Sequence, residues 1–270
     1  MDLQLKGKRV LITGSSAGIG EETAEIFTRE GATVVLNGRD ESRLRTVERK
    51  LRKLGADVFS AKGDLSTDAG AKEVVDATLA HVGGIDILVN NAGGNEQLAT
   101  GWFSATAGDW ASLTEKNTIS AVRLIHAFVP AMKERGWGRV INIGSTGAVL
   151  AEAHVAPYCA AKAALANMTL SLTKELTGTG VTVNMVTPGG IVTRTFEEFL
   201  VVFGKRQGWP GNHWKDFEPN YVKLRSFRTP RLGRAEDIGN TVAFIASPLA
   251  DYITGACIRV DGGQVPTMHL

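Results

Sequence analysis

Short, nearly unbroken apolar runs alternate along the chain with longer stretches of helical periodicity. The runs Arg9–Thr13, Thr33–Asn37, Asp57–Ala61, Ile87–Asn90, Val140–Gly144, Val181–Val186 and Cys257–Val260 are rich in β-branched residues. Continuous rather than alternating hydrophobicity predicts strands buried on both faces. Between them, Gly20–Glu30, Glu41–Leu54, Ala69–His81, Asp109–Arg135, Tyr158–Leu176 and Ala235–Ala246 predict helices, several of them ending at a glycine (Gly31, Gly55, Gly83) suited to a C-terminal cap. The alternation predicts an α/β fold, a doubly wound parallel sheet of seven strands with helices on both faces. One stretch breaks the rhythm. From Thr193 to Thr229 no clean strand emerges, and Pro210, Gly211 and Pro219 interrupt any helix. No repeat or linker divides the chain, so residues 1–270 read as one domain.

Composition narrows the function more than the fold. With 270 residues, 43% hydrophobic and 21% charged, the chain can bury a large core and is not a disordered protein. Its 30 Lys and Arg against 28 Asp and Glu leave a net charge of +2, which provides no basic surplus for a nucleic-acid backbone. No apolar run approaches the ~20 residues that span a bilayer. The start, Met1 to Arg9, lacks the apolar core of a signal peptide, so a soluble, cytoplasmic protein is expected. Cys159 and Cys257 cannot form a disulfide framework, and Cys159 reads as a packing residue. His81, His126, His154, His213 and His269 show no ligand spacing and read as surface or capping residues, His154 being the one that could face a site built around Tyr158. No metal is expected.

The first chemical signal is Thr13-Gly14-Ser15-Ser16-Ala17-Gly18-Ile19-Gly20, running from a strand through a turn into a helix. Glycines there allow positive φ and close approach of backbone N–H groups to a phosphate, which the helix N-terminus also attracts. A tight turn with no ligand would also use glycines. Its position directly after the first strand favours a dinucleotide site.

The second signal is Tyr158-Cys159-Ala160-Ala161-Lys162, which sets a phenol and an ammonium one helical turn apart, a pair that by itself equally reads as surface packing on an amphipathic helix. Ser145 closes a predicted strand at its C-terminal end, the edge where open parallel sheets bind ligands. Reducing a carbonyl needs a hydride and a proton. A tyrosine of pKa about 10 is poorly matched to that task until a nearby cation favours its phenolate. Lys162 is the obvious supplier, and Ser145 would hold the substrate oxygen near the phenol.

The glycine spacing, Asn90-Asn91-Ala92-Gly93, the set Asn117, Ser145, Tyr158 and Lys162, and the Pro188-Gly189 turn together resemble the short-chain dehydrogenase/reductase family over nearly the whole chain. The resemblance, which includes 3-oxoacyl-thioester reductases, implies a Rossmann-type domain, a carbonyl or alcohol substrate and a homotetramer. It further implies that Lys162 also binds the nicotinamide ribose and that Asn117 anchors a proton-relaying water. Gly14, Ser16, Gly18, Ile19 and Gly20 would hold the cofactor phosphates. Asp64 and Leu65 would meet the adenine edge, Asp64 being equally readable as a helix cap. Asn91 and Gly93 would line the ribose and nicotinamide side, and Pro188, Gly189, Ile191 and Thr193 the carboxamide and phosphate side.

Gly38 stands where NAD-preferring relatives carry Asp, and Arg39 follows, so NADP(H) is expected ahead of NAD(H). Asp40 could cap the next helix, Ser15 or Ser16 could add a hydroxyl, and Ala17 lacks the cation many NADP-using relatives carry. The resemblance places a substrate-covering segment at 194–228, which holds Phe196, Phe199, Phe203, Trp209, Trp214, Phe217, Tyr221 and Phe227. Those aromatics either wall a pocket or pack on one another or on a second subunit. The whole reads as an NADP(H)-dependent oxidoreductase with Tyr158 as acid/base. A non-catalytic dinucleotide sensor or scaffold on the same fold is the alternative.

Overall fold

The structure is a computed structural model that describes residues 1–95 and 102–266; His269 lies outside them. The strands are β1 (Arg9–Ile12), β2 (Thr33–Gly38), β3 (Val58–Lys62), β4 (Ile87–Asn90), β5 (Gly138–Ile143), β6 (Val181–Pro188), the two-residue β7 (Ile191–Val192) and β8 (Gly233–Arg234), and β9 (Cys257–Val260). Seven of them form one sheet in the order β3-β2-β1-β4-β5-β6-β9, every pairing parallel. β7 and β8 pair separately. The expected doubly wound sheet is therefore present, its strand bounds displaced by at most a few residues.

Alternate residues of each strand point to opposite faces, and two apolar layers result. Val10, Ile12, Val34, Leu36, Ile141 and Val186 face one way, against Phe27 and Ala24 of α1 (Gly18–Arg29). Leu11, Val35, Leu88, Val140 and Val183 face the other. That second layer packs on Leu124 and Phe128 of a later helix and on Leu165 of another. Both faces being covered explains why the strands read as unbroken apolar runs. Strand order reverses between β1 and β4, so a crevice opens at their C-terminal ends.

The next helices are α2 (Glu41–Arg52), α3 (Asp68–Val82) and α4 (Ala107–Thr114). The helix expected over Asp109–Arg135 is in fact two. α4 starts from a capping box in which Thr106 accepts from the Asp109 N–H at 3.2 Å and the Asp109 carboxylate accepts from the Thr106 N–H at 2.8 Å. A π-helical turn over Glu115–Ile119 then joins it to α5 (Ser120–Glu134). α6 (Ala156–Glu175) begins two residues before Tyr158, with Pro157 in its first turn, where a missing N–H is harmless.

The stretch from Thr193 to Thr229, for all its breakers, contains two helices, α7 (Arg194–Arg206) and α8 (Trp214–Leu224), before α9 (Ala235–Ala246). Local caps outweigh the breakers. Thr193 accepts from the Phe196 N–H at 3.3 Å, and Asp216 accepts from the N–H groups of Asn212 and His213, both at 2.9 Å. His213 is thus a capping residue, as expected. Pro210 and Gly211 fall in the connection, and only Pro219 interrupts a helix interior.

Candidate functional site

At the C-terminal end of β1 the chain turns through Gly14 and Gly18, both at φ +61°, a conformation open to glycine at little cost. Polar side chains from three strand ends brace this turn. Thr13 Oγ1 accepts from the N–H groups of Asn91 and Ala92, both at 2.8 Å. The Asn91 amide donates back to the carbonyls of Thr13 at 2.8 Å and Gly14 at 3.2 Å. Asn37 Oδ1 accepts from the Gly14 N–H at 3.3 Å, while its Nδ2 donates to Ala61 O at 3.1 Å. Gly20 is held in this cage: a Cβ there would lie 2.5 Å from both Gly14 O and Asn91 Nδ2.

The braces leave α1 facing the crevice. Its cap residue, Ala17, supplies no side-chain acceptor, so its first-turn N–H groups are offered to an anion. Ser15 is wholly buried, its hydroxyl donating to Ile12 O at 2.8 Å and accepting from the Asn37 N–H at 3.0 Å. Ser16 is the partly exposed one of the pair. Across the turn, the Thr193 methyl lies 3.4 Å from where Gly18 would carry a Cβ, so the segment after β6 closes over the start of α1.

At the far end of the crevice, Gly38 packs on Ser16, and a Cβ would meet its hydroxyl at 3.0 Å. Asp40 caps α2 by accepting from the Arg43 N–H at 3.1 Å. Arg39 is solvent-exposed and stands 3.8 Å from the Asp64 carboxylate. Burial pushes the Asp64 carboxyl up, but hydrogen bonds from Ser66 and the charges of Arg39 and Lys116 outweigh it and hold the group below its ordinary value. Leu65 does not project into the crevice. Its side chain is buried in the core and its carbonyl accepts from Arg123 at 3.2 Å, so only its backbone can meet a ligand. Ile191 is likewise buried. Pro188 ends β6 opposite Val260, and the Gly189 N–H donates to the Val260 carbonyl at 3.1 Å, with no room for a side chain against Asp261.

On the other flank of the switch point, Ser145 follows β5 and caps a 3-10 turn, its hydroxyl accepting from the Gly147 N–H at 3.1 Å. Burial pushes the Tyr158 phenol up, a hydrogen bond with Ser145 pulls it back, and neighbouring Cys159 raises it. Gly147 keeps this corner tight, since a Cβ there would sit 3.1 Å from Cys159 Sγ and 3.3 Å from Ser145 Oγ. Cys159 is buried, as its reading as a packing residue required.

One turn along α6, Lys162 is 3% exposed and donates to Ile143 O at 2.8 Å. Its ammonium lies 5.9 Å from the centroid of the Tyr158 ring. Burial pushes its pKa down to about 8. Asn117 sits in the π turn, with Nδ2 donating to Leu113 O at 3.0 Å and Gly94 O at 3.1 Å. Its Oδ1 accepts from the Gly94 N–H at 2.9 Å. Gly93, at φ +155°, lies between Asn117 and Lys162, where a Cβ would fall 2.6 Å from Asn117 Oδ1 and 3.4 Å from Lys162 Nζ. Asn117 therefore shapes the Gly93-Gly94 backbone beside the lysine. π turns of this kind collect at functional sites.

Thr13 and Asn37 escaped the sequence reading as site residues. Their signal was a polar residue ending an otherwise apolar run. The aromatics of α7 and α8 mostly pack on each other. Ring centroids of Phe196 and Phe199, and of Phe199 and Phe203, are 5.5 Å apart, and Tyr221 meets Phe196 and Phe203 edge-on at 5.6 Å. His154 is exposed, 3.7 Å from Glu152.

The sequence model of the short chain dehydrogenases matches residues 8–200. The chain is 36% identical to the oxidoreductase YvrD of Bacillus subtilis, covering 99% of this chain and 100% of that one. It is 33% identical to the 3-oxoacyl-[acyl-carrier-protein] reductase FabG of Vibrio cholerae, covering 97% and 99%. Among solved structures, the L-sorbose reductase of Gluconobacter frateurii, complexed with NADPH and L-sorbose, superposes with a TM-score of 0.92 at 34% identity, covering 99% and 100%.

Proposed function

The chain belongs to the short-chain dehydrogenase/reductase family, and from that premise we propose that it is an NADP(H)-dependent oxidoreductase interconverting a ketone or aldehyde and an alcohol. The observation that carries the reading is the buried Lys162 one helical turn from Tyr158, with Ser145 drawing the phenol down, at the same sheet edge as an uncapped helix N-terminus. A sensor needs only the second half of that arrangement. The NADPH of the sorbose reductase supports the cofactor. The family alone does not choose the substrate, since one relative carries the name of a sugar reductase and another that of an acyl-thioester reductase.

The residues fit the dinucleotide. Gly14 makes the turn, Ser16, Gly18, Ile19 and Gly20 present N–H and hydroxyl donors for the phosphates, and Arg39 the cation for a 2′-phosphate. Asp64 and Leu65 border the adenine end. Asn91 and Gly93 line the ribose side, and Pro188, Gly189, Ile191 and Thr193 close the crevice over α1. The bound nicotinamide supplies or accepts the hydride. Ser145 donates to the substrate oxygen, and Tyr158 gives it a proton in reduction or takes one in oxidation. The Lys162 ammonium favours the phenolate by its charge, opposing the burial that pushes the phenol up. Asn117 fixes the Gly93-Gly94 turn against Lys162 and keeps that charge in place.

The test is NADPH absorbance decay with a panel of carbonyl compounds, and NADP+ reduction with the matching alcohols. Binding of dinucleotide with no turnover of any member would favour the sensor. The cofactor choice has its own measurement. A charge-assisted hydrogen bond contributes roughly 1.5–3 kcal/mol, so Arg39→Ala is expected to weaken NADPH binding at least about tenfold and NADH binding far less. Dissociation constants for both cofactors at fixed salt decide it. Equal losses would mean that Arg39 stacks on adenine and does not read phosphate.

The proposal includes a homotetramer. Ala160, Ala163, Ala164 and Leu170 of α6 are exposed in the single chain, not buried against the sheet, which suits a helix that pairs with another subunit. Light scattering at micromolar concentration is expected to give a mass above that of the monomer. A monomer mass rejects it.

A further inference from the structure

The loop joining Ser145 to Tyr158 carries Glu152, and the lid reaches down to it. The Arg225 guanidinium, just past the end of α8, pairs with Glu152 Oε1, while His154 Nδ1 stands 3.7 Å from Glu152 Oε2. Neither partner is sealed off, with side-chain exposures of 31% for Glu152 and 32% for Arg225. The Tyr221 phenol belongs to the same group: burial pushes its pKa up, Arg225 pulls it down and Glu152 raises it. On the other flank, Thr146 directly after Ser145 places its hydroxyl 3.5 Å from Gln264 Oε1. The segment between Ser145 and Tyr158 thus carries a carboxylate paired with a guanidinium from beyond α8, and a hydroxyl beside an amide.

Part of the aromatic set of residues 194–228 is turned inward, while Phe199 stays 44% exposed. Phe203, Trp209 and Phe217 form a chain of ring contacts inside the lid, with Phe217 wholly buried. A long acyl chain or a steroid passing Glu152 and Arg225 would strip water from both charges and return no hydrogen bonds, which is costly. The two charges cancel, so they do not select an anion. A carboxylate accepts from hydroxyl hydrogens, and a guanidinium donates to hydroxyl oxygens.

Resting on the oxidoreductase reading above, we infer that the substrate is a neutral polyhydroxylated carbonyl compound or the corresponding polyol, with Glu152 and Arg225 reading its hydroxyls. A site built to hydrogen-bond hydroxyls discriminates strongly against analogues that lack them.

The experiment compares kcat/KM, with NADPH, for a set of neutral ketoses, for unsubstituted ketones of the same chain length, and for a 3-oxoacyl thioester. The expected result is a preference of at least tenfold for one or more ketoses over the matched ketone. In Glu152→Ala and Arg225→Lys that ratio is expected to fall at least tenfold, mainly through KM for the ketose. A thermal melt of each variant establishes that it folds, and Arg225→Lys serves if Glu152→Ala does not. Turnover of the plain ketone or the thioester at or above the ketose rate overturns the substrate class and leaves the oxidoreductase reading standing. Equal losses on all substrates show a lid latch with no part in recognition and also overturn it. No turnover of any carbonyl, with dinucleotide still bound, overturns both readings.

Discussion

Tyr158→Phe is expected to lower kcat by about 10²–10⁴-fold, the range that a positioned acid or base contributes, while cofactor affinity and folding stay close to wild type. The substitution removes one oxygen from a ring wedged between Ser145, Gly147 and Lys162, so packing barely changes. What goes is the phenol hydroxyl proposed as the proton donor. Single-turnover kinetics with a substrate whose chemistry limits the rate, beside a dissociation constant for NADPH, separate lost chemistry from lost binding. Retention of more than about a tenth of wild-type kcat would remove Tyr158 from the acid/base role, since one factor of ten is far below the range for such a group.

How much of this site could be read in advance depended on where its information is stored. The strands were legible because each is buried on both faces, so Val34, Val35 and Leu36 had to be apolar in succession. Tyr158 and Lys162 were legible because helical spacing places them one turn apart whatever surrounds them. Asn117 was legible as a residue but not as a geometry. Nothing in Glu115–Ile119 announces a π turn, which takes shape through the Asn117 contacts to Gly94, a residue far away in sequence.

The helices within 194–228 were illegible for the opposite reason. Pro219 and the Pro210-Gly211 pair are strong local breakers, yet Thr193, His213 and Asp216 cap helices on either side of the connection. Burial of Leu200 and Phe217 against each other's helices then favours the helical state. Leu65 and Ile191 show a third limit. A motif can assign a position to the crevice edge while the side chain points into the core, leaving only the backbone to contact the ligand.

Lys162→Met is expected to abolish most turnover, by about 10²-fold or more, and at the same time to stabilise the protein without cofactor at neutral pH. Lys162 is almost wholly buried, and desolvation brings its pKa from an ordinary 10.5 to about 8. The unfolded chain therefore binds the proton more tightly than the folded one. Below pH 8 the full penalty is present, on the order of 3 kcal/mol at 1.36 kcal/mol per pKa unit. It diminishes as pH rises from 8 to 10.5, because in that window the unfolded state holds more protons and stability climbs with pH. Methionine fills a similar volume with no charge to bury, but gives up the hydrogen bond to Ile143 O, worth roughly 1 kcal/mol. The variant should therefore gain on the order of 2 kcal/mol at pH 7, and the gain should vanish or reverse by about pH 10.5. Urea unfolding of both proteins at pH 7, 8.5 and 10 measures the difference, with the other titrating groups common to both. A difference independent of pH would show that the ammonium is not desolvated, and with it would go the argument that the fold holds a costly charge beside Tyr158 for the sake of the reaction.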